Sequence, residues 1–113
     1  MEKEPAVFER LMAIIEDRKQ NPPASSYTTT LFQGGVDRIG CKVMEEAAEV
    51  VRAARKAGDS AAARANLVHE AGDVIYHLFV MLGYCDVSLS EVEAELAKRF
   101  GTSGLDEKAG RGK

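Results

Sequence analysis

The sequence has only two cysteines and no long apolar run. Cys41 and Cys85 lie far apart in helical patterns, without the CxxC spacing of a metal or redox site. We therefore expect reduced thiols that are buried or partly buried. No segment offers the roughly 20 apolar residues of a membrane-spanning helix, and the first residues, MEKEPAVF, do not resemble a signal peptide. Together these absences predict a protein of the cytoplasm.

The chain also lacks a strong excess of either charge. It has 15 basic and 18 acidic side chains, for a formal net charge of -3. Broad electrostatic binding to nucleic acid needs clustered positive charge, so we expect no nucleic-acid partner. The length of 113 residues fits one domain with a modest core, and a hydrophobic share of 45% is typical of globular proteins.

No segment alternates like a strand, whereas apolar residues recur at helical spacing. A first helix is predicted from about Pro5 to Lys19, and the paired prolines of QNPPASS end it. Ser26 either caps a short helix that ends at Gly34–Gly35 or begins a loop rich in hydroxyls. This pattern predicts an all-α protein of four to five helices.

The remaining helices are predicted from their caps and breaks. One spans about 36–57, the next begins after Asp59 or Ser60 and ends at Tyr84 or Cys85, and the last spans about 89–100. Residues 1–100 are predicted to form one domain, followed by a polar, Gly-rich tail at 101–113.

The third of these long helices is apolar around most of its circumference, which is typical of a buried helix. On a helical wheel, its polar residues share one arc of roughly 60°. They are Asn66, Glu70, Asp73, His77 and Tyr84. A buried helix with one polar stripe needs a partner that satisfies that stripe.

The preceding helix offers such a partner, because a short turn makes the two helices antiparallel neighbours. Its predicted inward face is Ile39, Val43, Ala47, Val50 and Ala54. Glu46 and Glu49 lie at the edge of this face and oppose Glu70 and Asp73. Four facing carboxylates repel one another and are costly to bury without counter-charges. Clustered oxygen ligands select Mg²⁺ or Mn²⁺, so we expect a site for such an ion.

Other polar residues have both a functional and a structural interpretation. Glu45 lies further out and fits a solvated surface group, but is retained as a possible metal ligand. His77 either donates to a carboxylate, contacts a ligand or is a satisfied core histidine. Three cations either bind phosphate or only keep a helix surface solvated: Lys42, Arg38 and Arg55. Ser26, Tyr27 and Thr28 either hold a ligand or cap a helix.

Three motifs occur together and in order: SYT at 26–28, KVxEExxE at 42–49 and ExxDxxYHL at 70–78. From about Phe8 to Leu105 the chain resembles the stand-alone phosphoribosyl-ATP pyrophosphatases of histidine biosynthesis, within the all-α MazG-like nucleotide pyrophosphatases. The superfamily signature, EExxE followed by ExxD, is matched by Glu45, Glu46, Glu49, Glu70 and Asp73. The resemblance implies a MazG-like helical bundle that is completed by dimerisation.

The resemblance also implies the reaction: Mg²⁺-dependent hydrolysis of the α–β phosphoanhydride of 1-(5-phosphoribosyl)-ATP to 1-(5-phosphoribosyl)-AMP and pyrophosphate, the second step of the pathway. We expect the carboxylates to hold the metal, with Glu46 or Glu49 as general base towards a metal-activated water. Lys42, Arg38 and Arg55 would hold phosphate, while the SYT segment and His77 would contact substrate. The chain has no room for the cyclohydrolase, which we expect to be a separate protein acting next.

Three alternatives remain at this point. A MazG-like enzyme that hydrolyses ordinary or aberrant (d)NTPs would use the same carboxylates. A non-enzymatic bundle would use metal for stability alone, although structural metal sites usually leave no open positions. A ferritin-like di-iron site fits least, because it needs Glu-x-x-His pairs and His77 is four residues from Asp73.

Overall fold

The computed structural model describes residues 6–101, which form four helices connected by short turns. They are α1 (Val7–Gln20), α2 (Tyr27–Lys56), α3 (Ala61–Tyr84) and α4 (Leu89–Ala97). Residues 6–101 contain no strand, and the prediction of an all-α fold is confirmed. The predicted helix start at Pro5 and all but the first residue of the predicted tail lie outside the described residues.

Three of the helices begin at a serine whose side-chain oxygen accepts an N–H from the first turn. Ser26 accepts from Thr29, Ser60 from Ala63, and Ser88 from Glu91. Ser88 and Glu91 form a complete capping box, as predicted. The helix that follows this box ends at Ala97, three residues before the predicted end.

Helix α2 is broken once, at Gly35, where φ is 71° and ψ is -166°. Glycine adopts this region without steric penalty, whereas residues with a Cβ rarely do. The sequence predicted a helix end at Gly34–Gly35, and the break occurs there, but the chain resumes a helix at once. The break separates the hydroxyl-rich segment 27–34 from the segment 36–56, which carries the carboxylates.

Helices α2 and α3 form a long antiparallel pair, and α1 packs against both at one end of it. The core lies at this end and consists of Met12, Ile15, Leu31, Ile39, Phe79 and Val80. We call this half of the pair the packed end, and the half next to the turn at 57–60 the open end. No helix within residues 6–101 is long and apolar enough to cross a membrane.

At the open end, large apolar side chains remain exposed. Val68 is 68% exposed, and Val51 is 52% exposed. The predicted inward face of α2 is only partly correct there, because Ala47 and Ala54 are exposed whereas Ala53 is buried. The buried and half-buried positions instead follow a spacing of three to four residues through 39, 43, 46, 50 and 53, which brings Glu46 onto the inward face itself.

Both cysteines are free, but their predicted burial is wrong, since both residues are exposed. Cys41 lies on the outer side of α2, two residues from the fully buried Ile39. Cys85 follows the last residue of α3 and caps its C-terminus with its backbone N–H. A helical pattern identified the segments, but not which side of each segment faces the core.

Candidate active site

Four half-buried carboxylates face one another across the α2/α3 pair. Glu46 and Glu49 are one turn apart on α2, and Glu70 and Asp73 are one turn apart on α3. Partial burial, and then the negative charges of the other three, raise the pKa of Glu70. The carboxylates predicted from the two motifs are therefore close enough for their charges to act on one another.

Two of the four carboxylates have a basic side chain beside them on their own helix. His69 Nε2 lies 3.3 Å from Asp73 Oδ2, and Arg52 forms an ion pair with Glu49. The other two carboxylates, Glu46 and Glu70, have neither a hydrogen bond nor an ion pair with any residue in 6–101. The site thus has more negative than positive charge at its centre.

The donor set fits a hard divalent cation. One ligand atom from each of His69, Glu70 and Asp73 lies within 4.8 Å of the other two, a spacing that a single ion can span. Carboxylate oxygens dominate the set, which favours Mg²⁺ or Mn²⁺ over softer metals. His69 was not among the predicted ligands, although its position four residues before Asp73 on a helix is a signal that could have indicated it.

Glu45, the fifth predicted ligand, is exposed and lies apart from the four. Its carboxylate accepts a hydrogen bond from Lys42 at 3.3 Å. This bond, then the neighbouring Tyr27 and the carboxylates of Glu45 and Glu46, raise the pKa of Lys42, which therefore stays charged. In this arrangement Glu45 orients a cation at the edge of the site.

Two of the three predicted phosphate-binding cations lie near the SYT segment. The positive charges of Lys42 and Arg38 both act on the phenol of Tyr27. Arg55 is exposed and lies 17 residues beyond Arg38, about 25 Å further along α2 at 1.5 Å per residue. The structure therefore brings Lys42 and Arg38 to one end of the carboxylates but not Arg55.

A surface cavity of about 200 Å³ adjoins the other end of the carboxylates, and no sequence pattern predicted it. Its lining residues are Glu49, Arg52, Ala53, Lys56 and Asn66. Arg52 and Lys56 follow Glu49 at spacings of three and seven, so they lie on its side of α2. Cations therefore flank the carboxylates at both ends.

The SYT segment is connected to α3 by two side-chain hydrogen bonds. Tyr27 Oη lies 2.9 Å from His77 Nε2, and the buried Thr28 hydroxyl is hydrogen-bonded to Tyr76 Oη. The rings of Tyr27 and Tyr76 are stacked with centroids 6.4 Å apart. Ser26 caps the helix through its side chain, so the three residues of the motif have three different contacts.

His77 is 5% exposed and is hydrogen-bonded at both ring nitrogens. Its second partner is the backbone carbonyl oxygen of Asp73, 2.8 Å from Nδ1. The ring therefore joins the SYT segment to the turn of α3 that carries a carboxylate. Within residues 6–101, His77 has no hydrogen bond to a side-chain carboxylate.

Comparison with known proteins identifies the family. The family model described as phosphoribosyl-ATP pyrophosphohydrolase matches residues 8–100. This match covers most of the chain, including every motif and all four helices apart from the first residue of α1. The chain belongs to the phosphoribosyl-ATP pyrophosphohydrolase family.

Curated members of the phosphoribosyl-ATP pyrophosphohydrolase family are similar to it over nearly their whole length. The phosphoribosyl-ATP pyrophosphatase of Rhodobacter capsulatus is 53% identical, covering 91% of this chain and 95% of that protein. That of Rhodopirellula baltica is 47% identical, covering 92% and 85%, and that of Geotalea daltonii is 40% identical, covering 93% and 94%. The resemblance found in the motifs is confirmed, and with it a hydrolase of histidine biosynthesis.

Proposed function

We propose that this chain hydrolyses 1-(5-phosphoribosyl)-ATP to 1-(5-phosphoribosyl)-AMP and pyrophosphate in the cytoplasm, with Mg²⁺ held by Glu46, Glu49, Glu70 and Asp73. The observation that carries the proposal is that four half-buried carboxylates face one another across α2 and α3, where burial and then the other three charges raise the pKa of Glu70. Such an arrangement is unfavourable by itself and becomes favourable with a divalent cation. Family membership provides the substrate.

The roles of the side chains follow from their positions. When bound, Mg²⁺ or Mn²⁺ supplies positive charge that neutralises the polyphosphate. Glu46 has no basic neighbour in an ion pair among residues 6–101, so we assign it as the general base that takes a proton from the attacking water. Glu49, although it is paired with Arg52, remains the alternative base.

The cations at the two ends of the carboxylates bind different parts of the substrate. Arg38 and Lys42 lie beside Tyr27, so they bind one end of the polyphosphate next to the nucleotide. Arg52 and Lys56 line the cavity beside Glu49 and receive the departing pyrophosphate. Arg55, which the sequence predicts as a phosphate ligand, is thus replaced in this role by two cations that adjoin the carboxylates.

We also propose a homodimer that covers the open end. Val51 on α2 and Val68 on α3 are exposed in the single chain, and Met44 is 75% exposed. A two-fold symmetric contact between two open ends would complete a helical bundle around them. Light scattering tests this: Val68→Lys should yield monomers, whereas Val7→Lys, at the even more exposed start of α1, should not. Dimers of both variants would contradict the proposed surface.

Pyrophosphate release tests the reaction. The purified protein is given phosphoribosyl-ATP, ATP or dNTPs in parallel, with Mg²⁺ and with EDTA. Release from phosphoribosyl-ATP alone, dependent on Mg²⁺, is the expected result. Release from dNTPs instead would mean that the same carboxylates act on a different nucleotide substrate. No release from any substrate, while Mg²⁺ still raises the Tm, would mean a metal site for stability alone and would contradict the proposal.

A further inference from the structure

His77 is a buried imidazole at the junction of the two functional motifs. Only 5% of its surface is exposed, and the ring packs edge-on against Tyr27 and Tyr76, with centroids 5.9 Å and 5.1 Å away. Because Tyr27 itself is 47% exposed, it is the outer member of the group. A substrate at this surface touches Tyr27, and His77 lies behind it.

The directions of the two hydrogen bonds follow from their partners. The Asp73 carbonyl oxygen can only accept, so His77 Nδ1 carries the proton of the 2.8 Å bond. In the neutral ring Nε2 is then an acceptor, and the Tyr27 hydroxyl donates to it across 2.9 Å. Burial raises the pKa of Tyr27, which keeps the proton on the phenol and available for this bond.

A hydroxyl has only one proton to donate. With that proton committed to His77, the Tyr27 oxygen presents only lone pairs to the outside. Phosphate oxygens without a proton are acceptors too, so they do not complement it. The groups that do are donors: a sugar hydroxyl or an amino group of the base.

We propose that His77 is a positioning residue, which turns the Tyr27 proton inward so that the Tyr27 oxygen binds a sugar hydroxyl or base amino group of the substrate as a hydrogen-bond acceptor. The inference rests on the proposed function, because it concerns how the same nucleotide is bound. It assigns Tyr27 to the nucleoside part and leaves the phosphates to Arg38 and Lys42.

Two substitutions separate the two bonds of the ring. His77→Gln extends an amide oxygen to the place of Nε2 and keeps an acceptor for Tyr27. His77→Asn reaches only the place of Nδ1, so it keeps the donor to the Asp73 carbonyl and loses the acceptor. Tyr27→Phe removes the hydroxyl itself. Circular dichroism and Tm check that each variant is folded.

Steady-state kinetics of pyrophosphate release then distinguish positioning from catalysis. One lost hydrogen bond in the substrate complex raises KM by about tenfold. We expect this rise for Tyr27→Phe and for His77→Asn, with kcat changed less than about twofold, and a KM close to wild type for His77→Gln. The double variant Tyr27→Phe/His77→Asn should be no worse than Tyr27→Phe. Three results would each overturn the proposal: an equal rise in KM for His77→Gln and His77→Asn, additive rises in KM in the double variant, or a fall in kcat.

A spectroscopic measurement on the wild-type protein needs no substitution and no activity. Long-range ¹H–¹⁵N spectra at pH 8 report which ring nitrogen of His77 carries the proton. Protonated Nδ1 with bare Nε2 is expected, and a proton on Nε2 would overturn the proposal. If the chain released no pyrophosphate, the proposed function would fail, whereas this spectrum would still decide the direction of the Tyr27–His77 bond.

Discussion

The packed end and the open end of the α2/α3 pair differ in how their buried groups are satisfied. At the packed end, Ile39 and Val80 are completely buried, and the polar side chains of 27–28 are hydrogen-bonded across to α3. The buried Thr29 hydroxyl is an exception there, since it has no hydrogen-bond partner among residues 6–101. At the open end, Val68 is 68% exposed, and Glu46 and Glu70 have no ion-pair partner among residues 6–101.

This difference separates stability from chemistry along one pair of helices. The packed end holds α2 and α3 in register through a shared core and two interhelical hydrogen bonds. The carboxylates lie beyond that core, where their mutual repulsion weakens the pair until a cation binds. Substitutions at the packed end should therefore mainly lower stability, whereas substitutions of the carboxylates should mainly lower activity.

The largest expected effect is on activity at the carboxylates. Glu49→Gln keeps the shape of the side chain but removes a metal ligand and its charge. Since general-base and metal contributions are each typically worth 10² or more, turnover should fall by about 10²- to 10⁴-fold. Far-UV circular dichroism should be unchanged. The matched control is Glu45→Gln, on the exposed side of α2, which should lose less than about tenfold; equal losses would erase the distinction between Glu45 and the four.

The next effect is on stability and contrasts one apolar residue from each end. Ile39→Ala removes a fully buried side chain from the core and should lower the free energy of unfolding by about 2–5 kcal/mol. Val51→Ala, at a position 52% exposed in the chain, should cost less than about 0.5 kcal/mol in dilute monomer. Chemical denaturation measures both.

The same pair also sharpens the proposal of a dimer. If a second copy covers the open end, Val51→Ala becomes more destabilising as protein concentration rises, whereas Ile39→Ala does not. Equal costs at every concentration, or a larger cost for Val51→Ala in the monomer, would contradict the division into two ends.

The sequence predicted the helices well, because their starts depend on local chemistry. Ser26, Ser60 and Ser88 each bond to an N–H three residues along the chain, and no tertiary contact is needed for this. The facing carboxylate pairs were also predictable, since the short turn at 57–60 leaves α2 and α3 few ways to pack. Helical spacing then brings both pairs to the same side.

What the sequence did not predict depends on how the helices are rotated about their axes and how they pack against one another. Ala47 and Ala54 are as apolar as Ala53, yet only Ala53 is buried. The contact between His77 and Tyr27 joins residues 50 apart, and it depends on the break at Gly35 that redirects segment 27–34. The cavity beside Arg52 and Lys56 likewise arises only when the two helices are in place.

A smaller effect is expected at the helix cap of the open end. Ser60 accepts from the N–H of Ala63 at 3.0 Å, and Ser60→Ala should reduce the free energy of unfolding by about 1 kcal/mol. Because the main core cluster lies at the other end of the pair, hydrogen exchange should increase in the first turn of α3 before it increases elsewhere. Ser60→Asp, which can still cap, is the control. Unchanged exchange in Ser60→Ala would show that the open end is held by something other than its cap.

The smallest effect concerns Glu70 and tests the electrostatic difference directly. Burial, and then Glu46, Glu49 and Asp73, raise the pKa of Glu70 above its ordinary value of 4.5. Between the ordinary and the raised pKa, the folded chain therefore binds more protons than the unfolded chain. Stability from this residue is complete below the ordinary pKa, and it is lost as the pH rises through the raised one.

Glu70→Gln removes this loss, so the metal-free variant should have a slightly higher Tm than the wild type at pH 7.5 and an equal Tm at acidic pH. The gain is small because the side chain is only half-buried. Mg²⁺ should raise the Tm of the wild type more than that of Glu70→Gln, because the variant has lost a ligand. Glu93→Gln, on the exposed face of α4, should change neither the metal-free Tm nor the rise in Tm with Mg²⁺. A lower Tm for metal-free Glu70→Gln at pH 7.5 would mean that Glu70 stabilises the open end, and the carboxylates would then not repel one another enough to require a cation.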